Sequence, residues 1–122
     1  MERLFLFASK ELLMNTPAEI YAEARAAGNI AVKGAVDGYP CGFATINIKP
    51  ARGPFIKFLK EKGIGCKDDY RGGYTLSSYN CCNFGGQNMN VKEAGCVAFR
   101  DVLIQNHLEV DGYTINIHTQ ID

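Results

Sequence analysis

The residue types best able to do chemistry in this sequence lie between positions 49 and 79, where basic side chains are interleaved with tyrosines. From Lys49 to Arg71 the net charge is about +4, while the chain of 122 residues as a whole is neutral. Cations beside aromatic rings can hold phosphates and stack bases, or they can anchor a protein interface. The candidate partner- or anion-binding residues are Lys49, Arg52, Lys57, Lys67, Tyr70, Arg71, Tyr74 and Tyr79.

The segment INIKPARGPF, residues 46–55, supports two interpretations. In the first, Lys49 and Arg52 flank a helix start whose free N–H groups attract a phosphate or carboxylate. In the second, Pro50, Gly53 and Pro54 only shape a connection from a strand to a helix. We favour the second, because no complete P-loop or dinucleotide-binding fingerprint accompanies the segment.

Catalytic and metal-binding patterns are weak throughout the chain. The five cysteines (41, 66, 81, 82 and 96) show no C-x-x-C spacing, which indicates free thiols in a reducing cytoplasm. A thiolate paired with His107 or His118 has no sequence signature, and zinc on Cys81, Cys82 and a histidine lacks the usual ligand spacing. The KDDY segment is typical of a polar turn. We therefore predict no enzyme, no metal and no cofactor.

The elements that must position these side chains begin with a well-marked helix. Thr16 is the predicted N-cap, Pro17 the first helical residue and Glu19 the partner in a capping box, with Gly28 as the stop. Residues 30–36 and 42–48 are then expected to form a hairpin around residues 37–41. In its second strand, Ala44, Ile46 and Ile48 share one face, and Phe43, Thr45 and Asn47 share the other.

Downstream, Pro50 ends that strand and a helix begins at Pro54, with Phe55, Phe58 and Leu59 facing inward. Residues 74–80 are predicted as a strand that places Tyr74 and Tyr79 on opposite faces, so that one of them belongs to the core. The main helix is expected after an Asn90 cap and extends through Leu103. An Asp111-Gly112 turn precedes a last strand that alternates over residues 113–121.

These elements predict one compact α+β domain over residues 1–122, with an antiparallel or mixed sheet packed by two to three helices. The early apolar run LFLFA is too short for a membrane span or a signal sequence, so no membrane association is expected. The last strand could form a sheet edge that pairs with a second copy, or that is covered by the RLFLF run near the N-terminus.

The ordered motifs from residue 42 to residue 122 resemble a family of small uncharacterised proteins from bacteriophages and prophages. The resemblance rests on the K-P-A-R-G turn, Lys49 to Gly53, and on the K-E-A segment with A-F and V-L following, Lys92 to Leu103. It does not cover residues 1–30, and YNCCNF has no counterpart. It implies a viral accessory protein that acts in the bacterial host cytoplasm by binding, including inhibition of host defences such as CRISPR nucleases.

Two functional hypotheses follow. The first is stoichiometric binding of a host protein or nucleoprotein through residues 49–79, which needs aromatic anchors and charges but no catalytic group. The alternative is binding of a nucleic acid or nucleotide ligand, with Lys49 and Arg52 on phosphate and a tyrosine stacked on a base.

Overall fold

The computed structural model describes residues 16–35, 41–83, 88–108 and 112–121. In chain order the elements are helix α1 (Pro17–Gly34), strand β1 (Gly42–Lys49), helix α2 (Pro54–Glu61), strand β2 (Cys66–Lys67), strand β3 (Tyr74–Ser77), helix α3 (Ser78–Cys81), helix α4 (Met89–Gln105) and strand β4 (Thr114–Ile121). The predicted α+β class is confirmed. Three longer helices and the single turn of α3 accompany a four-stranded sheet.

The strands are arranged in the order β2-β3-β1-β4, and each adjacent pair is antiparallel. Strand β1 is central, because Ile46 faces Leu76 of β3 on one side and Ile117 of β4 on the other. Apart from the single turn of α3, the elements from β1 onward follow the β-α-β-β-α-β succession of the ferredoxin-like arrangement, with α1 added before it. Strand β4 lies at one end of this order, as expected for an edge strand.

One face of the sheet supplies the core. Ala44, Ile46 and Ile48 are all buried there, as predicted from the alternation along β1. Phe99 of α4 and Leu59 of α2 are fully buried in the same apolar cluster. Helix α1 joins it through Tyr21, whose ring meets the Phe99 ring edge-on at 5.7 Å. Removing this apolar surface from water is the main term that holds the helices on the sheet.

The start of α1 confirms the predicted cap, whereas its predicted end is wrong. The Thr16 hydroxyl accepts from the Glu19 amide, and the Glu19 carboxylate accepts from the Thr16 amide. The helix then continues past Gly28 to Gly34, so no strand forms over residues 30–35. Gly28 serves packing, because a Cβ there would lie 2.2 Å from the Cys81 carbonyl oxygen. Of the expected turn at residues 37–41, residues 37–40 lie outside the described residues.

Two further boundaries differ from the sequence expectation. The strand predicted over residues 74–80 ends at Ser77, because the chain turns into α3, where the Asn80 side chain accepts from the Ser77 amide. Helix α4 is capped by Asn88 instead of Asn90: the Asn88 side chain accepts from the Val91 amide at 3.0 Å. The extra turn adds Met89 and Asn90 to the helix.

The remaining boundaries agree with the prediction. Strand β1 ends at Lys49 before Pro50, α2 begins at Pro54, and β4 occupies most of the alternating tail. Asp111 and the RLFLF run lie outside the described residues.

Among the helices that the structure describes, none is both long enough and apolar enough to cross a bilayer.

Candidate functional site

The turn between β2 and β3 is organised by the carboxylate of Asp68. One oxygen accepts from the backbone amides of Tyr70 (2.9 Å) and Arg71 (2.8 Å), and the other accepts from the Thr75 hydroxyl at 2.8 Å. The Asp68 amide donates to the Gly73 carbonyl, and the Gly72 amide donates to the Asp68 carbonyl. A short polar side chain that bonds amides two and three residues ahead defines a fixed turn. The backbone of residues 68–73 is therefore rigidly held.

These hydrogen bonds lower the pKa of Asp68, with the Arg71 amide as the largest cause and the Thr75 hydroxyl next. Because the folded pKa lies below the unfolded one, the stabilisation is complete above the ordinary value of 3.8 and is lost as the pH falls through the folded value. We expect the stability difference between the wild type and Asp68→Asn to shrink on acidification through that window. Denaturant unfolding from pH 7 to pH 2 measures it, and parallel curves for the two proteins would contradict this role.

The turn closes against the end of β1 at a position that requires glycine. Gly73 has a φ of +75°, and a Cβ on it would lie 2.6 Å from both the Ile48 carbonyl oxygen and Cγ of Lys49. The Lys49 side chain therefore runs along Gly72 and Gly73. The side-chain amide of Asn47, which is fully buried beneath the turn, donates to the Gly72 carbonyl at 2.8 Å.

Tyr70 and Arg71 occupy the outer part of this turn. Tyr70 is 94% exposed, which is the largest exposed fraction among the exposed large hydrophobic side chains of the described residues. The Arg71 guanidinium lies 3.8 Å from the Asp68 carboxylate and stays more than one-third exposed. Of the eight predicted site residues, Lys49, Tyr70 and Arg71 gather at the turn, and exposed Lys67 immediately precedes it at the end of β2.

The other two predicted tyrosines lie elsewhere. Tyr74 is a core residue whose hydroxyl donates to the Ile64 carbonyl at 2.6 Å, and burial raises its pKa. Tyr79 is 59% exposed on α3, at the opposite end of β3 from the turn, and its carbonyl accepts from Arg25. The expectation that one of the pair belongs to the core is confirmed, although Tyr79 lies on a helix. The predicted patch therefore does not include all three tyrosines together.

The K-P-A-R-G segment is fixed by internal contacts. The Tyr113 hydroxyl donates to the Arg52 carbonyl at 2.9 Å, and a Cβ on Gly53 would lie 2.1 Å from that hydroxyl oxygen. The Lys60 ammonium donates to the Ala51 carbonyl at 3.2 Å. These contacts support the structural interpretation of the segment. The side chains of Arg52 and Lys57 are exposed at this end of α2.

The sheet face opposite the core carries a groove that begins beside Arg71. Phe43 and Thr45 of β1 face Gln120 and His118 of β4 directly across the strand pair. The groove has a volume of about 250 Å³ and is lined by Phe43, Thr45, Arg71, His118, Thr119 and Gln120. An aromatic ring, a guanidinium, an imidazole and an amide thus converge on one opening.

The sequence analysis placed Arg71 among the candidate residues. It did not predict that Phe43, His118 and Gln120 would line a groove with it. The alternation along β1 and β4 assigned each of them to a polar face. It could not pair Phe43 with Gln120, because these residues are far apart in the chain and meet only through the register of the sheet.

The cysteines provide no constellation for chemistry among the described residues. All five lie within the described residues and none forms a disulfide, and Cys81, Cys82 and Cys96 are buried. A hydrogen bond with Cys96 and burial raise the pKa of the Cys81 thiol well above its ordinary value, which lowers its nucleophilicity at neutral pH. In the parts of the chain that the structure describes, no three His, Cys, Asp or Glu side chains are placed to share a metal ion.

Comparisons of the chain with protein-family models, with curated proteins and with solved structures gave no match.

Proposed function

We propose that this protein acts by binding a macromolecular partner stoichiometrically, with the Tyr70–Arg71 turn as its main contact. The observation that carries the proposal is the combination of an almost fully exposed aromatic side chain and a rigid backbone: Tyr70 is 94% exposed, while Asp68 fixes its amide. Tyrosine and arginine are enriched among the residues that dominate interface energies. Because the backbone is already ordered, association costs the entropy of the Tyr70 side chain but little further backbone entropy.

The resemblance to phage and prophage proteins suggests the class of partner. We propose a host protein or nucleoprotein in the bacterial cytoplasm, for example a defence effector such as a CRISPR nuclease. The exposed cations at the turn, Lys49, Lys67 and Arg71, suit a partner surface that is acidic or that holds nucleic acid. Among the described strands none pairs with the outer side of β4, which supports self-association of two copies through this strand.

Affinity capture with paired tyrosine variants tests the contact. The tagged wild type, Tyr70→Ala and Tyr79→Ala are each incubated with bacterial lysate, with and without nuclease. Tyr79 is the matched control, because it is also exposed but lies on α3 at the other end of β3. We expect a host protein to be retained through nuclease treatment and lost only with Tyr70→Ala, as for interface anchors whose truncation costs about 2 kcal/mol or more, roughly 30-fold in affinity.

The captured partner is then purified and titrated with this protein, and its activity is measured at each ratio. Saturation of the effect at a fixed molar ratio is expected for a binding protein. Loss of partner activity at far substoichiometric ratios would contradict the proposal, since it requires turnover. If the wild type and Tyr70→Ala captured the partner equally well, the turn would not be the contact.

A further inference from the structure

The described helices pack on one face of the sheet, and the opposite face carries aromatic, polar and basic side chains. Along β1 it presents Phe43, Thr45 and, at its end, Lys49, and across from these β4 presents Gln120, His118 and Thr114. Phe43 is 54% exposed although it lies on a central strand. We call the residues 43, 45, 116, 118 and 120 the open face. The Phe43 ring gives this face an aromatic surface on which a flat group can stack.

The fixed charges on the strands themselves are basic. None of the four strands contains an aspartate or a glutamate. The adjoining turn contains two carboxylates: that of Asp68 is engaged by two backbone amides and the Thr75 hydroxyl, and Asp69 is exposed. Arg71 extends over the groove at one side, and Lys49 lies farther along the same face. The open face therefore suits a ligand that carries negative charge.

The Phe43 ring is held in place from behind. The Lys92 ammonium lies 5.1 Å from the ring centroid and donates to the Gly42 carbonyl at 2.8 Å. Lys92 is itself buried in α4, so this cation and the ring form a fixed pair. The exposed part of the ring is thus presented in a defined orientation to whatever enters the groove.

We infer that the open face binds a single strand of nucleic acid, with one base stacked on Phe43 and a neighbouring phosphate held by Arg71. Aromatic stacking combined with a basic groove is how proteins hold unpaired strands. The groove of about 250 Å³ is smaller than pockets that enclose a drug-sized ligand, at roughly 300–1,000 Å³, so it takes one group of a longer ligand. Beyond Thr45 the turn covers β1, because Asn47 is fully buried beneath it, so a longer ligand continues past the groove along exposed Asn116 and Thr114 of β4.

Gln120 and His118 add directional contacts to this arrangement. The Gln120 amide both donates and accepts, which suits the edge of an unpaired base, and the His118 imidazole can donate to a phosphate oxygen. This inference goes beyond the proposed function and does not depend on it. The two sites share Arg71, but the strand stacks on Phe43 in the groove, whereas the partner contact uses Tyr70 on the turn.

Fluorescence anisotropy with labelled ten-nucleotide DNA and RNA tests the inference at two salt concentrations. We expect binding of single strands, weaker binding of a duplex of equal length, and an affinity that falls with salt. Phe43→Ala should weaken binding by about 5- to 150-fold, the range for one lost base stack. Arg71→Ala should reduce the salt slope by roughly 0.7, the value for one phosphate on a single strand.

A second pair of variants keeps the test independent of any effect of Phe43→Ala on folding. Gln120→Glu puts a carboxylate into the groove at an exposed position and should abolish binding, whereas the same change at exposed Gln105, at the end of α4, should leave it intact. Equal binding by the wild type and Gln120→Glu, or a duplex bound as tightly as a single strand, would overturn the inference. A free mononucleotide that binds as tightly as the ten-mer would also overturn the inference, because the rest of the strand would then contribute nothing to the affinity. Tyr70→Ala should bind the oligonucleotide as tightly as the wild type does. The oligonucleotide titration and the affinity capture can therefore fail independently of each other.

Discussion

Phe99→Ala is expected to lower the free energy of unfolding by about 3–5 kcal/mol, the range for truncating a fully buried aromatic side chain. Phe99 is completely inaccessible in α4, and its ring contacts Tyr21 of α1 edge-on at 5.7 Å. The change removes the transfer free energy of the ring, leaves a cavity, and loses an aromatic pair worth about 0.5–1.5 kcal/mol. Because a domain of this size is stable by roughly 5–15 kcal/mol, a large share of its stability depends on this side chain.

Urea unfolding followed by circular dichroism measures the effect, and Ile104→Ala provides the control. Ile104 lies on the same helix but is partly exposed, and alanine has the higher helix propensity there. We expect the control to stay within about 0.5 kcal/mol of the wild type, as surface substitutions usually do. Similar losses for both variants would mean that Phe99 is not the centre of the core.

Gly28→Ala should destabilise the protein by about 2–3 kcal/mol, the upper part of the range for overpacking. Helix propensity alone predicts the opposite, because replacing a mid-helix glycine gains up to about 1 kcal/mol. The added Cβ, however, would lie 2.2 Å from the Cys81 carbonyl oxygen and 3.2 Å from that of Gly95. Both are backbone atoms and cannot rotate away. Steric overlap therefore outweighs propensity, and α1 must move off α3 and α4.

Gly34→Ala is the matched control within the same helix. Gly34 is the last residue of α1, and a Cβ on it would have no neighbour within 4 Å. We expect unchanged or slightly raised stability, so the two glycine variants should differ in sign when measured by thermal and chemical unfolding. If Gly28→Ala also raised stability, the close packing of α1 against α3 would be wrong.

Where local chemistry decides the structure, the sequence was a good guide. The capping box at Thr16, the proline at the start of α2 and the alternation of β1 and β4 each act within a few residues, and each was predicted correctly. The α+β class follows from these elements. Such signals work because a cap, a fixed proline φ or a two-residue period has the same effect in any fold.

Where contacts between distant residues determine the secondary structure, local sequence signals gave the wrong prediction. Gly28 and the β-branched Ile30 and Val32 favour a break followed by a strand, yet packing of α1 on its neighbours keeps the segment helical. Tyr74 and Tyr79 share a short tyrosine-rich stretch, but the turn into α3 separates them.

The candidate site shows the same limit. Its turn could be predicted in part, because KDDYRGG contains the aspartate and the glycines that such a turn needs. The groove could not be predicted, because the register of β1 against β4 and the path of Arg71 over the sheet both depend on the finished fold.

The position of β4 beside β1 also governs the order in which the molecule can assemble. Gly42 pairs with Ile121, so one flank of the central strand stays unpaired until residues 114–121 have been synthesised. The Tyr113 bond to Arg52 joins the same distant parts of the chain. Non-local pairing of this kind slows folding, because the entropy of closing a long loop is lost before the contacts form. On the ribosome, the sheet can be completed only after its last strand has emerged, and until then the chain depends on α1 and α4 to cover its apolar face.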